Sequence, residues 1–222
     1  MSRGTEFGLR TAAVIMDLVC ISHLRWDFVY QRPQHVLSRL ARRWPVVFVE
    51  EPVRHDGPTQ VETLEVAPGV TVVRFHTPVA ASGFHDDQLA EIGPLLPGVL
   101  RDLGVDSYGA WFYTPMALPL LRELAPATIC YDCMDELAAF RNSPKQLLQR
   151  ETALLRIANV VFTGGPSLYR SKRHGNDNVH CLPSSVDAAH FARAQHADAA
   201  LPELAALPSP RLGFYGVVDE RF

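Results

Sequence analysis

The feature that most constrains the fold is the alternation of short apolar runs, rich in β-branched residues, with longer amphipathic stretches. The runs carry few charges, as strands buried on both faces of a parallel sheet do. The stretches between them place apolar residues at helical spacing. We therefore predict an α/β fold, in which a Rossmann-like parallel sheet is covered by helices on both faces.

The pattern places each element in the sequence, with turn residues at the boundaries. Strands are predicted at residues 12–22, 45–51, 61–66, 70–75, 109–113, 128–131, 159–163 and 178–182. Helices are predicted at residues 31–42, at 86–103 with breaks near Gly93-Pro94 and Pro97-Gly98, from Pro115 onward, at 145–157 after Ser143-Pro144, after Gly164-Gly165 and at 199–206.

Composition excludes several classes of protein. The net charge of −3 over 222 residues gives no sign of a nucleic-acid partner. Neither a membrane span nor the apolar core of a signal peptide is visible, so we expect a cytoplasmic protein. Cys130 and Cys133 have a C-x-x-C spacing, but no second pair completes a zinc site. We interpret all four cysteines as buried free thiols and predict neither a metal nor a cofactor.

The loop after the first predicted strand is the densest cluster of functional side chains. Ligands of doubly wound sheets bind at the carboxyl ends of the strands, where this loop lies. Arginines there can bind phosphate or carboxylate, histidines can exchange protons, and a tryptophan can stack on a sugar ring. Alternatively, Asp27 and the arginines form local ion pairs, Trp26 belongs to the core and His35 is an ordinary helix residue. The cluster contains His23, Arg25, Trp26, Asp27, Arg32 and His35.

Acidic residues follow two other predicted strands. Glu50 and Glu51 close the second strand, and we interpret them as structural carboxylates or as carboxylates that face a ligand. Asp132 and Asp135 are three residues apart, which would place them on one side of a helical turn. In that position they would form a general base or a cation site. Alternatively, they are ordinary acids of the first turn of a helix, where the helix dipole stabilises negative charge.

Four blocks of sequence together resemble the N-terminal lobe of bacterial GT-B glycosyltransferases. The resemblance is close to glycosyltransferase family 4, especially to its polysaccharide and teichuronic-acid-type members. The blocks are SHLRWDFVYQRPQHVLSRLA with VVFVEEP (22–41 and 46–52), CYDCMDELAAF (130–140), ANVVFTGGPSLYRSKR (158–173) and NVHCLPSSVDAAHF (178–191).

This resemblance implies transfer of a sugar from a nucleotide sugar to a glycan or lipid-linked acceptor of the cell envelope or an exopolysaccharide. Association with the inner face of the membrane would follow from such an acceptor. The implied catalytic residues are His23, Asp27, Asp132 and Asp135. The implied acceptor-binding residues are Arg25, Trp26, Arg32, His35 and Thr114, and the implied donor-binding residues are Gly216 and Arg221.

The resemblance also divides the chain. We expect a leader or tag without regular structure at residues 1–11, the acceptor lobe at 12–192, and a linker with the first strand of a donor lobe at 193–222. The fragment would then be inactive without the rest of that lobe. Ser184-Ser185 stands where the family has Asn-Gly, and residues 31–34 replace its glycine pair. These departures leave open a non-catalytic module that binds glycan or acts as a scaffold. A flavodoxin-like or nicotinamide-binding domain is a third interpretation.

Overall fold

The computed structural model describes residues 16–141, 143–196, 202–208 and 210–214. The strands are β1 (Asp17–Ile21), β2 (Val46–Val49), β3 (Val53–Arg54), β4 (Gln60–Ala67), β5 (Val70–Thr77), β6 (Tyr108–Phe112), β7 (Thr128–Cys133), β8 (Val160–Thr163) and β9 (Val179–Cys181). The α-helices are α1 (Arg32–Leu40), α2 (Asp86–Ile92), α3 (Leu96–Asp102), α4 (Leu147–Ile157), α5 (Pro166–Lys172), α6 (Ala188–Ala192) and α7 (Pro202–Ala205). Three 3-10 helices lie at Pro115–Arg122, Leu137–Ala139 and Arg193–Gln195.

The strands form one nine-stranded sheet with the order β3-β5-β2-β1-β6-β7-β8-β9, and β4 pairs with β5. All pairings are parallel except that of β4 with β5. The chain first adds strands on one side of β1 and then returns to add β6 to β9 on the other side. The strand order therefore reverses between β1 and β6, and this reversal opens a crevice at the carboxyl ends of the strands.

Each face of the sheet has its own apolar core. Val19 and Ile21 of β1 point into the larger core, which packs against α2, α3, α4 and the 3-10 helix at Pro115–Arg122. Leu18 and Cys20 point to the opposite face, where Leu37 of α1 is fully buried. The strands are nearly continuous in apolar residues because both faces are covered. The predicted fold class is thus confirmed.

Three of the differences between the structure and the sequence-based elements have a clear local reason. The helix after Ser143-Pro144 begins at Leu147, because a turn closed by the Leu147 N–H to the Pro144 carbonyl comes first. The segment after Pro115 is a 3-10 helix that contains Pro119, which has no N–H for an α-helical bond. Strand β3 was not predicted, since two residues are too few for an alternating pattern to show.

Asp132 and Asp135 do not share a helical turn. Strand β7 continues through Cys133, so Asp132 is a strand residue and Asp135 lies in the loop that follows. The prediction of two acids on one side of a helical turn was therefore wrong. Strand β7 can keep a charged residue at this buried position because Arg32 forms an ion pair with it.

Other expectations lie partly outside the described residues. Residues 1–15 and 215–222 are among those not described, which include the proposed leader, the first residues of the predicted first strand, Gly216 and Arg221. Within the described part of the chain, Cys20, Cys130 and Cys133 are buried free thiols, and Cys181 is a half-buried one. The same residues include no helix long and apolar enough to cross a membrane and no cluster of three potential metal ligands.

Candidate functional site

A cleft of about 610 Å³ lies at the carboxyl ends of the strands, beside the point where the strand order reverses. It is built by the segments that follow β1, β2, β5, β6 and β7, together with the start of α4. Its lining residues are His23, Leu24, Glu51, Ser82, Gly83, Phe84, His85, Thr114, Met116, Asp135, Leu137, Phe140, Ser143, Pro144 and Leu147. Of the sequence-predicted site residues, His23, Thr114 and Asp135 lie in this lining.

His23 leaves β1 next to Ser22, whose side-chain oxygen accepts the Leu24 N–H at 3.0 Å and turns the chain. The His23 Nδ1 atom is buried and has no hydrogen-bond partner among the described residues. Burial lowers the pKa of His23 from 6.5 to about 4, although the backbone of Tyr113 offsets part of the effect. The imidazole is therefore neutral at pH 7.

Glu51 follows β2, and burial shifts the pKa of its carboxyl group strongly. Burial raises its pKa from 4.5 to about 7, and the charge of Arg25 counteracts this only in part. Gly83 packs against this carboxylate with φ +63°, and an added Cβ would lie 3.1 Å from the Oε1 atom of Glu51. Glycine both permits this backbone conformation and leaves room for the carboxylate. A carboxyl group with a pKa near 7 can take up and release a proton at neutral pH.

Asp135 and Thr114 reach the cleft from neighbouring strands. Thr114 caps the 3-10 helix at Pro115–Arg122, and its Oγ1 atom accepts the Met116 N–H at 3.2 Å. The loop that carries Asp135 is pressed against Gly164, where an added Cβ would lie 3.2 Å from the backbone of Met134. This close approach fixes the path of the loop after β7.

A buried network of charged side chains holds the loop after β7 in place. Lys172 of α5 donates to Glu136 at 2.7 Å and to Glu151 of α4 at 2.8 Å, and it is only 5% exposed. The hydroxyl of Tyr131 donates to Glu151 at 2.7 Å. Because these bonds join two helices, a strand and residue 136, they hold the position next to Asp135 in place.

Arg32 and Asp132 come together, but away from the lining of the cleft. Arg32 donates from Nε and Nη2 to the fully buried Asp132 carboxylate at 2.9–3.1 Å, and from Nη1 to the Leu182 carbonyl at 2.9 Å. Burial raises the pKa of Asp132, and Arg32 opposes the shift. The pair therefore joins α1 to β7 and to the segment that follows β9.

The rest of the predicted cluster is organised around Glu50, which is fully buried. Its carboxylate accepts the Trp26 N–H at 2.6 Å and the Arg74 Nε–H at 2.7 Å, and Arg25 lies 3.7 Å away. Arg74 also pairs with Asp27 at 3.3 Å. The Trp26 ring packs edge-on against Phe48 at 5.2 Å, within the core of the second face. The cluster is therefore arranged as the alternative interpretation of the sequence predicted: Asp27 and Arg25 form local ion pairs, and Trp26 packs against the core.

His35 lies on α1, where its ring contacts Tyr30 and Arg39. It is not part of the cleft lining. Among the polar lining residues, the sequence did not single out Ser82, His85 and Ser143, and it left Glu51 as a structural carboxylate or one that faces a ligand. For Glu51 a signal was present, since the acid directly follows a buried strand of the predicted parallel sheet. His85 and Ser143 reach the cleft from loops whose path the sequence pattern does not indicate.

Comparison with known proteins identifies the fold. No protein-family profile and no curated protein matches the chain. Among solved structures, a sucrose-phosphate synthase from Thermosynechococcus elongatus superimposes with a TM-score of 0.59 at 15% identity over 81% of this chain. An E. coli trehalose-6-phosphate protein bound with UDP-2-fluoro glucose gives 0.56 at 13% identity over 85% of this chain. A trehalose-6-phosphate synthase, OtsA, gives 0.52 at 15% identity over 85% of this chain.

This chain spans about half the length of each of these structures, from 52% to 53%. The structures are GT-B glycosyltransferases. At such low identity the likeness concerns the fold alone: the chain has the α/β architecture that makes up about half of a GT-B protein.

Proposed function

We propose that this chain is the acceptor-binding lobe of a GT-B glycosyltransferase that moves a sugar from a nucleotide-sugar donor to a glycan acceptor in the cytoplasm. The observation that carries the proposal is the cleft at the reversal of strand order, where Glu51 has a pKa near 7. The fold also matches about half of the length of GT-B glycosyltransferases, among them an E. coli protein bound with UDP-2-fluoro glucose.

Glu51 is the proton acceptor in this proposal. As the acceptor oxygen bonds to the anomeric carbon of the donor sugar, Glu51 takes the hydroxyl proton and the nucleoside diphosphate leaves. Asp135 and Thr114 orient acceptor hydroxyls, and the neutral ring of His23 forms part of the cleft wall. No metal is required, since cationic side chains and helix dipoles can stabilise the leaving diphosphate.

The other predicted residues have supporting roles. The ion pair of Arg32 with Asp132 joins α1 to β7. The loop after β1 is fixed by contacts of Arg25 and Trp26 with Glu50 and of Asp27 with Arg74. His35 lies on α1, outside the lining of the cleft. Gly216 and Arg221 lie outside the described residues, and we assign them to donor binding together with a second lobe. The family 4 relationship and a cell-envelope or exopolysaccharide acceptor belong to the same proposal.

Substitution in the full-length protein tests the assignment. Glu51→Gln keeps the shape of the side chain but cannot accept a proton, and should lower turnover of the nucleotide sugar roughly 10²- to 10⁴-fold. Asp135→Asn should raise the KM for the acceptor. Glu65→Gln on β4 is the matched control, because Glu65 is an exposed carboxylate outside the cleft. Full activity of the Glu51→Gln protein would exclude Glu51 as the base.

A second candidate is a glycan-binding module without chemistry. The family resemblance implied four catalytic residues, but two of them, Asp27 and Asp132, are held in ion pairs with arginines. This observation favours a module that binds without catalysis. This module would bind glycan in the cleft with the same affinity whether residue 51 is Glu or Gln, and the full-length protein would not turn over any nucleotide sugar.

A further inference from the structure

The charged side chains of the cleft are acidic. Glu51 and Asp135 carry carboxylates, and no arginine or lysine lies in the part of the lining that the structure describes. His23 adds no positive charge at pH 7, since burial lowers its pKa to about 4. If the sugar in this cleft carried a phosphate group, that group would lie near the carboxylates, and no arginine or lysine among the described lining residues would balance its charge.

Two of the described cations close to the cleft, Arg150 and Arg25, already interact with other groups. Arg150 of α4 donates to the Met116 carbonyl at 2.9 Å and pairs with Asp86 of α2. Arg25 lies against the buried carboxylate of Glu50. Arg141 and Lys145 flank lining residues in the sequence, but both are exposed and lie outside the lining.

Two of the helix starts at the cleft do not supply an anion site. Helix α2 begins with Asp86 and Asp87, and the His85 ring accepts the Asp87 N–H at 3.2 Å. The 3-10 helix at Pro115–Arg122 begins with a proline, and Thr114 accepts its next N–H. At these two starts the N–H groups that bind phosphate at other helix starts are therefore capped, absent or next to carboxylates. The start of α4 also borders the cleft and has neither a side-chain cap nor an acid in its first turn, but no arginine or lysine accompanies it among the described lining residues.

Much of the remaining lining is apolar. Its large apolar side chains are Leu24, Phe84, Met116, Leu137, Phe140 and Leu147. The volume of about 610 Å³ lies within the range of roughly 300–1,000 Å³ that is typical of pockets for small organic molecules. Apolar side chains at a binding site gain affinity by removing apolar ligand surface from water.

We propose that the cleft takes an uncharged sugar glycosidically joined to an apolar group, and that it disfavours sugar phosphates. This inference rests on the proposed acceptor role of the same cleft. The sugar hydroxyls contact Glu51, Asp135 and Thr114, while the apolar group lies along Met116 and Leu137. The acceptor class is thus an alkyl or aryl glycoside, or the sugar of a glycolipid without an adjacent phosphate.

Binding to the 222-residue chain tests this by titration with three matched probes: octyl β-glucoside below its micelle concentration, methyl β-glucoside and glucose 6-phosphate. The same set is made with galactose and mannose, because the sugar is unidentified. We expect the octyl glycoside of one sugar to bind at least roughly tenfold more tightly than its methyl glycoside and its phosphate. An octyl polyethylene glycol ether without sugar should bind more weakly than the octyl glycoside.

Two variants separate the contributions. Leu137→Ser should reduce the preference for the octyl over the methyl glycoside severalfold, whereas Leu148→Ser should not. Leu148 is an exposed leucine of α4 outside the lining, so it is a matched control. At pH 8, where the Glu51 carboxyl has lost its proton, Glu51→Gln with Asp135→Asn should raise the affinity for the sugar phosphate, because both like charges are removed.

The outcomes distinguish the two proposals. A sugar phosphate could bind more tightly than its octyl glycoside and lose this binding when Arg141 and Lys145 are changed to Gln. The cleft would then use the cations at its rim, so the proposed acceptor class would be wrong while the acceptor role would stand. If the sugar-free octyl ether binds as well as every octyl glycoside, the cleft is only an apolar pocket and the acceptor class is again wrong. If no sugar probe binds at all, the proposed acceptor role itself fails.

Discussion

Glu50 and Glu51 are adjacent acids at the end of β2 with different surroundings. Successive residues of an extended chain point to opposite sides, so the first carboxylate enters the ion pairs with Arg74 and Arg25 and the second enters the cleft. Glu50 is fully buried but compensated, whereas the charge of Glu51 is only partly compensated by Arg25. Differences in pairing, more than in burial, separate the structural acid from the candidate base.

Glu51 and His23 should give the stability of the protein opposite dependences on pH. A glutamate with the ordinary pKa of 4.5 has lost its proton well below pH 7, but Glu51 holds one up to about pH 7. The folded state then binds more protons than the unfolded state, so the free energy of unfolding falls as pH rises from about 4.5 to 7. His23 is protonated near pH 6.5 when unfolded but only near pH 4 when folded, so its contribution is lost as pH falls from 6.5 to 4.

Each shift corresponds to about 3 kcal/mol, and in the wild type the two slopes nearly cancel between pH 4.5 and 6.5. Glu51→Gln should therefore leave a free energy of unfolding that rises with pH in this window. His23→Gln should leave one that falls. Urea unfolding at pH 4.5, 5.5, 6.5 and 8 measures both slopes, with Glu65→Gln as the control. If both variants keep the wild-type slope, neither group has a shifted pKa.

At the scale of elements, α1 is attached to the sheet by one buried ion pair and one exposed ion pair. Arg32 in its first turn binds the buried Asp132 of β7, and Arg39 in its last turn binds the exposed Asp187 next to α6. Between them Leu37 is buried against the second face. The two arginines lie on one helix, so the same substitution at each compares a buried pair with an exposed pair.

Arg32→Met should destabilise the protein by about 3–5 kcal/mol, because it leaves the Asp132 carboxylate buried without its partner. Arg39→Met should have little effect, since an exposed ion pair is screened by solvent. Chemical denaturation of both variants at pH 7 measures the difference. The double variant Arg32→Met with Asp132→Leu should recover part of the loss, because the uncompensated charge is then absent. Equal, small effects at both arginines would mean that the buried pair does not hold α1.

At the scale of the whole molecule, the sheet has a protected centre and an exposed edge. Strands β1 and β6 lie in the middle of the order with partners on both sides, whereas β4 pairs with β5 alone. Most of β4 is exposed, and its edge carries Glu62 and Glu65. Charged residues on an exposed edge strand discourage pairing with another chain.

Amide hydrogen exchange should follow this order. The amides of β1 and β6 should exchange slowest, through global unfolding, and those of β4 that do not bond to β5 should exchange fastest among the strands. Mass spectrometry of peptides covering β4 and β6 makes the comparison in one sample. Equal protection of the two strands would indicate that something covers the β4 edge in solution. Glu65→Val should increase self-association if the edge charge prevents it.

Much of this architecture follows from the sequence by itself. The apolar runs of β1, β2 and β5 to β8 are strong enough to give strands, because both faces of a parallel sheet are buried and every residue contributes to the pattern. The break at Gly93-Pro94 also follows from local chemistry, and α2 and α3 are indeed separate helices. The second break predicted near Pro97-Gly98 was wrong, because Pro97 lies in the first turn of α3, where a helix tolerates proline. The concentration of polar residues after β1 likewise marks the edge of the sheet where the cleft is found.

The roles of the single polar residues were decided by the tertiary structure. Asp132 and Asp135 look alike in the sequence, but Arg32, one hundred residues away from Asp132, pairs with that residue, whereas Asp135 lines the cleft. Burial raises the pKa of Glu51, and Gly83, which packs against its carboxylate, is far from it in the chain. Secondary structure depends on neighbours in sequence, whereas the pKa and pairing of a charge depend on neighbours in space, and only the folded chain supplies those.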